Sequence, residues 1–314
     1  METTTQSAAH ANRGYLAAFG ATLFLATTAI FIRYLTLTYA MPALVLTYWR
    51  EFFVAVSLFL ILLFSRRDLI KVERRQLPLL ALYGLVLMLF NSTWALSVVL
   101  NGAAVATVLA YSSAAFTAIL GWLLLKESLD LPKIIAVVLS VGGIALVSNA
   151  LDPALWALNP GGVLAGVLSG LSYALYSLMG RYSSQRGINP WTSLLYIFAI
   201  GSFFMLAANL GLGRFLPGGA KTAADMFWLG NAWSGWLVLL VLAMVPTLMG
   251  FGLYNVSLHY LPSSVANLIL TSEPIVTSII AYFMFGEILT PVQILGAALI
   301  LAGVVLIRLT RKES

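Results

Sequence analysis

Residues 254–307 read YNVSLHYLPSSVANLILTSEPIVTSIIAYFMFGEILTPVQILGAALILAGVVLI, and residues 94–147 read WALSVVLNGAAVATVLAYSSAAFTAILGWLLLKESLDLPKIIAVVLSVGGIALV. Laid over one another at an offset of 160, without a gap, the two stretches share 12 identical positions in 54, among them Ser112 with Ser272, Thr117 with Thr277, Glu127 with Glu287 and Gly143 with Gly303. Each holds two long apolar runs around a short corner, Lys126-Glu127 in one and Gly286-Glu287 in the other. A helix crosses the hydrocarbon core of a bilayer in about 20 such residues. A second offset, 148, extends the match to 14–48 over 162–196, where Arg33-Tyr34 meets Arg181-Tyr182 and Pro42 meets Pro190. The pattern is a duplication of membrane-spanning helices.

Composition agrees. Of 314 residues, 61% are apolar and 9% charged, against ~45–50% and ~25% in soluble domains. A soluble globule needs a charged skin that this chain lacks, which excludes an ordinary soluble enzyme, a disordered chain and a coiled coil. The apolar runs are unbroken, whereas barrel strands alternate apolar with polar residues. There is no cysteine, so disulfides, thiolate metal sites and palmitoylation are ruled out. Two histidines are too few for a histidine-rich metal site. Neither a metal nor a cofactor is expected.

Ten apolar stretches are long enough to span: 14–36, 42–64, 77–100, 103–125, 132–149, 161–182, 191–212, 234–257, 262–285 and 289–309. The first is too long, and too poorly preceded by basic residues, to be a cleaved signal. Between spans, alternate segments carry 13 and 2 of the Lys and Arg residues, with Arg33 and Arg50 inside spans. Basic residues gather on the cytoplasmic side, so both termini are expected there. The net charge of +6 is then a mark of topology, not of a nucleic-acid surface. The expected fold is an all-α integral membrane protein of ten transmembrane helices in two five-helix repeats, 14–149 and 161–309, with short cytoplasmic tails 1–13 and 310–314. Five is odd, so the second repeat enters the bilayer inverted. Inverted repeats are a signature of secondary transporters, because exchanging the two halves' conformations exchanges one opening for the other.

Further short signals lie at defined places: Glu273-Pro274, Phe285-Gly286-Glu287, Gln293, Gly296 and Gly303 in the second half, Lys126-Glu127 and Gly142-Gly143 in register in the first, and Pro42 followed by Arg50. Together with five-plus-five topology they resemble the drug/metabolite transporter superfamily, specifically its EamA-type ten-helix members, over nearly the whole chain. By overall likeness the chain is most similar to the YddG-type amino-acid exporters. The resemblance implies a metabolite exporter with spans 1–4 and 6–9 around a central cavity and spans 5 and 10 at the periphery. Many relatives carry proline in span 4 where this chain has Ala114. A kink in span 4 therefore cannot be assumed, and unequal bending of the two halves follows if none is made.

Tyr83, Leu87, Asn91, Trp94 and Val98 share one helical face. A buried Asn needs partners, either an adjoining helix or a ligand. At the 160-residue offset Trp94 corresponds to Tyr254, and the two are expected to face one another across a pseudo-two-fold axis. Span 6 sets Tyr173 and Tyr176 beside Ser169, Ser172 and Ser177, a run of hydroxyls that should look away from lipid. Its Gly162, Gly166 and Gly170 form a small-residue ladder for close helix contact. Asn91, Trp94, Tyr111, Tyr173, Tyr176 and Tyr254 are the expected substrate-binding residues, their aromatic faces suited to an apolar or aromatic side chain and equally suited to a packed core.

Charge inside a span costs roughly 2.5–3.5 kcal/mol on insertion scales, so such residues usually pair or line water. Arg50, Glu51 and Glu273 are the intramembrane charges to explain. Arg33, near a span end, can snorkel outward. As neighbours on a helix, Arg50 and Glu51 are expected to point apart and not to share a partner. Glu273 is a proton-titrating group, an ammonium partner, or a cap where the helix breaks. Pro246 and Pro274 lie inside spans 8 and 9 and are expected to kink them. Glu127 and Glu287 are read as helix-end hydrogen-bonding groups and His259 as interfacial.

No nucleophile–histidine–acid set, metal cluster or phosphate-cradling loop is visible in the sequence. The expectation is a non-enzymatic inner-membrane exporter of amino acids with large apolar or aromatic side chains. Its partners are the small-molecule substrate and the bilayer, without nucleic acid; a homodimer is conceivable, but a monomer suffices. Efflux of cationic drugs is the alternative; an intramembrane enzyme or a scaffold ranks below both.

Overall fold

The computed structural model describes residues 2–147, 150, 152–153, 159–285 and 290–310. Among these the regular structure is entirely helical. Eight helical segments are long and apolar enough to cross a membrane: Ala11–Tyr39, Ala43–Ser65, Arg74–Gly102, Val105–Leu125, Pro160–Gln185, Pro190–Phe215, Trp233–Tyr260 and Ser263–Ile280. They take up eight of the ten expected stretches. The fifth and tenth also form helices, but the apolar segments there, Leu131–Val147 and Pro291–Ile307, are shorter. Residues 148, 149 and 289, at the ends of those two stretches, lie outside the described residues, as do Gly286 and Glu287.

Several spans are not single helices. The first is α1 (Glu2–Ala26) followed by α2 (Thr28–Tyr39). At the join, the Thr27 hydroxyl donates to Phe24 O at 2.7 Å. Hydroxyls that bond back into their own turn compete with the helix ladder and bend it. The second span is α3 (Ala43–Ser65), started by Pro42 in an extended conformation. Next, α4 (Leu77–Tyr111) carries the chain through the third span and into the fourth. Its helical course is interrupted at Gly102, with φ +80°, a left-handed value that only glycine adopts freely.

The fourth span then breaks again, between α4 and α5 (Ser113–Leu125). Ser112 makes this break without proline: its hydroxyl and its backbone N–H both donate to Leu109 O. The equivalent break in the ninth span falls at Thr271–Ser272, between α11 (Ser263–Leu270) and α12 (Glu273–Phe285). There the Ser272 hydroxyl turns back to Ile269 O at 2.6 Å. The break that could not be assumed from Ala114 is thus present in span 4, made by Ser112. Ser112 and Ser272 occupy equivalent positions, and back-bonding breaks both helices where proline is present in only one.

The remaining helices are α6 (Leu131–Val147), α7 (Pro160–Gln185), α8 (Pro190–Leu212), α9 (Trp233–Leu242), α10 (Gly250–Tyr260) and α13 (Pro291–Thr310). Between α9 and α10, Pro246 sits in a π-helical turn, Ala243–Met249. There the Thr247 hydroxyl donates to Leu242 O at 2.8 Å, taking up a carbonyl in a ladder that proline disrupts.

One end of the bundle gathers residues of the basic segments. Thr192 and Tyr196 hydroxyls donate to Leu69 O and Ile70 O, and Arg181 donates to Leu258 O and His259 O. Glu127 also lies there, where its two oxygens accept the backbone N–H and hydroxyl of both Ser263 and Ser264. A residue of the first half thereby caps the first turn of α11 in the second, as a helix-end group should. At the opposite end, the Asn101 side-chain amide clasps the backbone of Asn159, donating to its carbonyl oxygen and accepting from its N–H. The segment 213–232 also packs there, with Trp49 donating to Met226 O and Trp228 to Tyr39 O. These are called the basic face and the loop face below.

The glycine ladder is structural. A Cβ on Gly166 would lie 2.6 Å from Leu109 Cδ1, and one on Gly170 would lie 2.7 Å from Leu109 O and against Ser112 Oγ. Close approach of α7 to α4 is thus set by missing side chains at the break in the fourth span. We predict that Gly170→Ala lowers stability by about 1–3 kcal/mol, read as a fall in the thermal unfolding midpoint in detergent, because the obstructing atom is backbone. Gly143 and Gly296 similarly let α6 and α13 touch backbone to backbone.

Candidate functional site

The helix breaks surround a cavity with about 660 Å³ of space between atoms, open solvent at its mouth included. Leu25 and Thr28 flank the break in the first span, and Ala110 and Tyr111 precede that in the fourth. Glu273 opens α12 just after the break in the ninth, and Thr247 belongs to the π-helical turn. The rest of the wall is Arg50 from α3, Phe90, Asn91, Trp94 and Thr107 from α4, Tyr173 from α7 and Phe251 from α10. Helices α6, α8 and α13 contribute none of these residues.

Two of the intramembrane charges form a relay. The Asn91 amide N–H donates to Glu51 Oε1 at 2.6 Å, and Arg50 Nη2 donates to Asn91 Oδ1 at 3.0 Å. Arg50 is 4% exposed and Glu51 fully buried. The expectation that two adjacent charges could not share a neighbour is corrected: both side chains are long enough to meet one amide on α4. An amide has a donor end and an acceptor end, so Asn91 satisfies anion and cation at once and its orientation is set by them. Arg50 stands on the cavity wall with its Nε lacking a partner, while Glu51 lies behind it.

Glu273 is arranged differently. Its Oε2 accepts the Tyr111 hydroxyl at 2.6 Å, and among the described residues no ion pair reaches it. The bond joins the last residue of α4 to the first of α12, bridging the two equivalent helix breaks. Nearby, Ser113 donates to Asn267 Oδ1 at 3.2 Å, and Thr277 donates to Ala26 O, beside the break in the first span, at 3.1 Å.

Aromatic surface completes the wall. Phe90 and Tyr173 stack with centroids 4.5 Å apart and planes at 12°, and Trp94 is half-buried against the space. Toward the basic face the cavity ends on a layer of buried polar and aromatic groups. Tyr83 OH donates to Asn255 Oδ1 at 2.9 Å, and Asn255 Nδ2 donates to Tyr176 OH at 2.7 Å. Tyr254 and Ser177 hydroxyls are 2.6 Å apart, and Asn267 Nδ2 donates to both. Tyr83, Tyr176 and Tyr254 are fully buried.

Four of the six expected binding residues, Asn91, Trp94, Tyr111 and Tyr173, are therefore on the cavity wall. Tyr176 and Tyr254 are not; they lie one turn toward the basic face, in the layer beneath. Nor does Tyr254 face Trp94: it stacks on Tyr176 at 6.2 Å and meets Tyr173 edge-on. The reason is hydrogen bonding, because the hydroxyl of Tyr254 has its partners in that layer. Sequence reasoning passed over Thr28, Phe90, Thr107, Thr247, Phe251 and Asn255. The Thr27-Thr28 pair in mid-span was a readable signal for a helix break; the others resemble ordinary core.

The profile of the EamA-like transporter family matches residues 12–149 and again residues 160–309. An uncharacterized transporter of Archaeoglobus fulgidus is 30% identical over 145 residues, 46% of this chain and 47% of that protein. The threonine/homoserine exporter RhtA of Escherichia coli K12 is 32% identical over 148 residues, 46% of this chain and 45% of RhtA. Both matches thus span about half the relative's length. The uncharacterized transporter YwfM of Bacillus subtilis is 26% identical over 73% of each chain. A solved structure described only as a crystal structure of a protein superposes with a TM-score of 0.75 at 15% identity, covering 94% of this chain and 96% of its own.

Proposed function

The chain belongs to the EamA-like transporter family, and on that premise we propose that it exports amino acids with large apolar or aromatic side chains, and related small metabolites, by alternating access. The observation that carries the reading is the cavity itself: stacked aromatic surface and polar groups together at converging helix breaks, with a hydrogen-bonded layer on the side of the basic face. Broken helices at a midplane site are the usual architecture of secondary transporters. The double match of the family profile supports two repeats, 14–149 and 161–309, of inverted topology. On this reading the basic face is cytoplasmic, as the sidedness of Lys and Arg requires. All ten stretches cross the inner membrane, both termini are inside, and the cavity faces outward. A monomer suffices for the cycle. Substrate loads from the cytoplasm when the Tyr83–Asn255–Tyr176 layer parts, and leaves when it closes.

The substrate class rests on the aromatic wall and on the likeness to YddG-type exporters. The printed name of RhtA adds amino-acid export as such, for threonine and homoserine. A second reading, efflux of organic cations, draws on Glu273, an acid on the wall with no ion pair among the described residues. Reconstituted vesicles should show counterflow of labelled phenylalanine and tryptophan above that of sugars and organic cations. Flux of threonine and homoserine alone would replace the side-chain class, flux of cations alone would favour the second reading, and no amino-acid flux would overturn the proposal. The natural absence of cysteine makes topology testable beside it: a single cysteine within 66–75 should react with impermeant maleimide only from the cytoplasmic side.

A further inference from the structure

We infer that the cavity is a two-point site for zwitterions, with Arg50 receiving the substrate carboxylate and Glu273 its ammonium group. The inference rests on the amino-acid reading above and assigns the two ends of the substrate to side chains. Among the described residues, Arg50 and Glu273 are the two charged residues on the wall, of opposite sign and carried by different halves of the chain. Their surroundings differ in a way that suits two different jobs. Arg50 is anchored, giving one N–H to Asn91, which in turn is held by Glu51. A guanidinium offers five N–H donors in a planar fork matched to a carboxylate. Fixing one of them orients the fork and leaves others without a protein partner, Nε among them. Because Glu51 compensates the charge from behind, Arg50 can remain cationic between turnovers without a bound anion.

Among the described residues Glu273 has no such counter-charge. The Tyr111 hydroxyl holds one of its oxygens, and a phenol fixes direction without neutralising charge. An acid in this setting is completed by a cation, and an ammonium group brings three donors to it. A ligand without the ammonium leaves Glu273 unanswered in a low-dielectric cavity, where that is costly, and a ligand without the carboxylate forgoes the charge-assisted bonds of the Arg50 fork. Discrimination therefore requires both ends together, and the aromatic wall serves the side chain.

The test uses the intact protein in detergent, with intrinsic tryptophan fluorescence and thermal stabilisation as two binding readouts. The probes are phenylalanine, phenethylamine, which lacks the carboxylate, and 3-phenylpropionate, which lacks the ammonium. The wild-type protein should prefer phenylalanine over each analogue by roughly 10- to 100-fold, the range expected for one charge-assisted contact. Glu273→Gln keeps an acceptor for Tyr111 and should lose the preference over 3-phenylpropionate alone. The charge-neutral pair Arg50→Gln with Glu51→Gln, which leaves no single buried charge, should lose the preference over phenethylamine alone. If wild-type protein binds phenylalanine but both variants weaken all three probes equally, or neither variant changes them, the two-point assignment is overturned and the amino-acid reading stands. Should the wild-type protein bind none of the proteinogenic amino acids, both fall together.

Discussion

Replacing Glu51 by Leu is expected to remove about 3–5 kcal/mol of stability and nearly all transport. Glu51 is fully buried and Arg50 is 4% exposed, and the two charges are linked through the Asn91 amide. Without Glu51, the guanidinium remains in the apolar interior with no compensating anion behind it, and Asn91 loses the acceptor that fixes its orientation. A buried pair that loses one member suffers far more than a pair replaced as a whole. Adding Arg50→Met to Glu51→Leu should therefore restore most of the unfolding midpoint while flux stays absent, since the wall has lost its cation. Thermal unfolding in detergent, with counterflow in vesicles, separates the two effects. A Glu51→Leu protein as stable as wild type would show that the relay carries no compensating charge.

The second large effect is expected at Asn255. Its amide accepts from Tyr83 and donates to Tyr176 and to Phe251 O, so Asn255→Leu strands two buried phenol hydroxyls. Each stranded group costs about 1–3 kcal/mol in the closed layer, and that cost is relieved when the layer parts and water enters. The equilibrium should shift toward opening on the basic face by at least about tenfold, given 1.4 kcal/mol per decade. Thr107, on the cavity wall and half-buried, supplies the reporter. In the otherwise cysteine-free chain, Thr107→Cys should react with impermeant maleimide from the loop face alone; with Asn255→Leu added, it should react from both faces. Unchanged labelling from the basic face would mean that this layer does not close the cavity.

The two predictions depend on the sequence to different degrees. That Arg50, Glu51 and Glu273 need explaining was legible, because charge is scarce in the chain and costly in a bilayer. Asn91 was legible as a buried amide needing partners. Its link to both charges was not, since the partners lie 40 and 41 positions away and helical adjacency argued against one neighbour for the two. The Tyr83–Asn255–Tyr176 layer was less visible still. Tyrosines at helical spacing serve wall and floor equally well, and the hydrogen bonds that separate Tyr176 and Tyr254 from Tyr173 span 79 and 77 positions.

The breaks divide in the same way. Pro246 and Pro274 announced departures from regular helix because proline lacks a donor wherever it stands. The breaks at Thr27 and Ser112 depend on hydroxyls turned back onto carbonyls, a choice that serine and threonine also decline in many helices. By itself the sequence determined the helical class, the duplication and the uneven distribution of basic residues, since bilayer thickness, helical rise and the cost of intramembrane charge act on each segment separately. Only the tertiary structure decided which hydroxyls break helices, which amide joins two charges and which tyrosines line space instead of closing it. Those are properties of groups brought within hydrogen-bond reach from distant positions, and no single segment contains them.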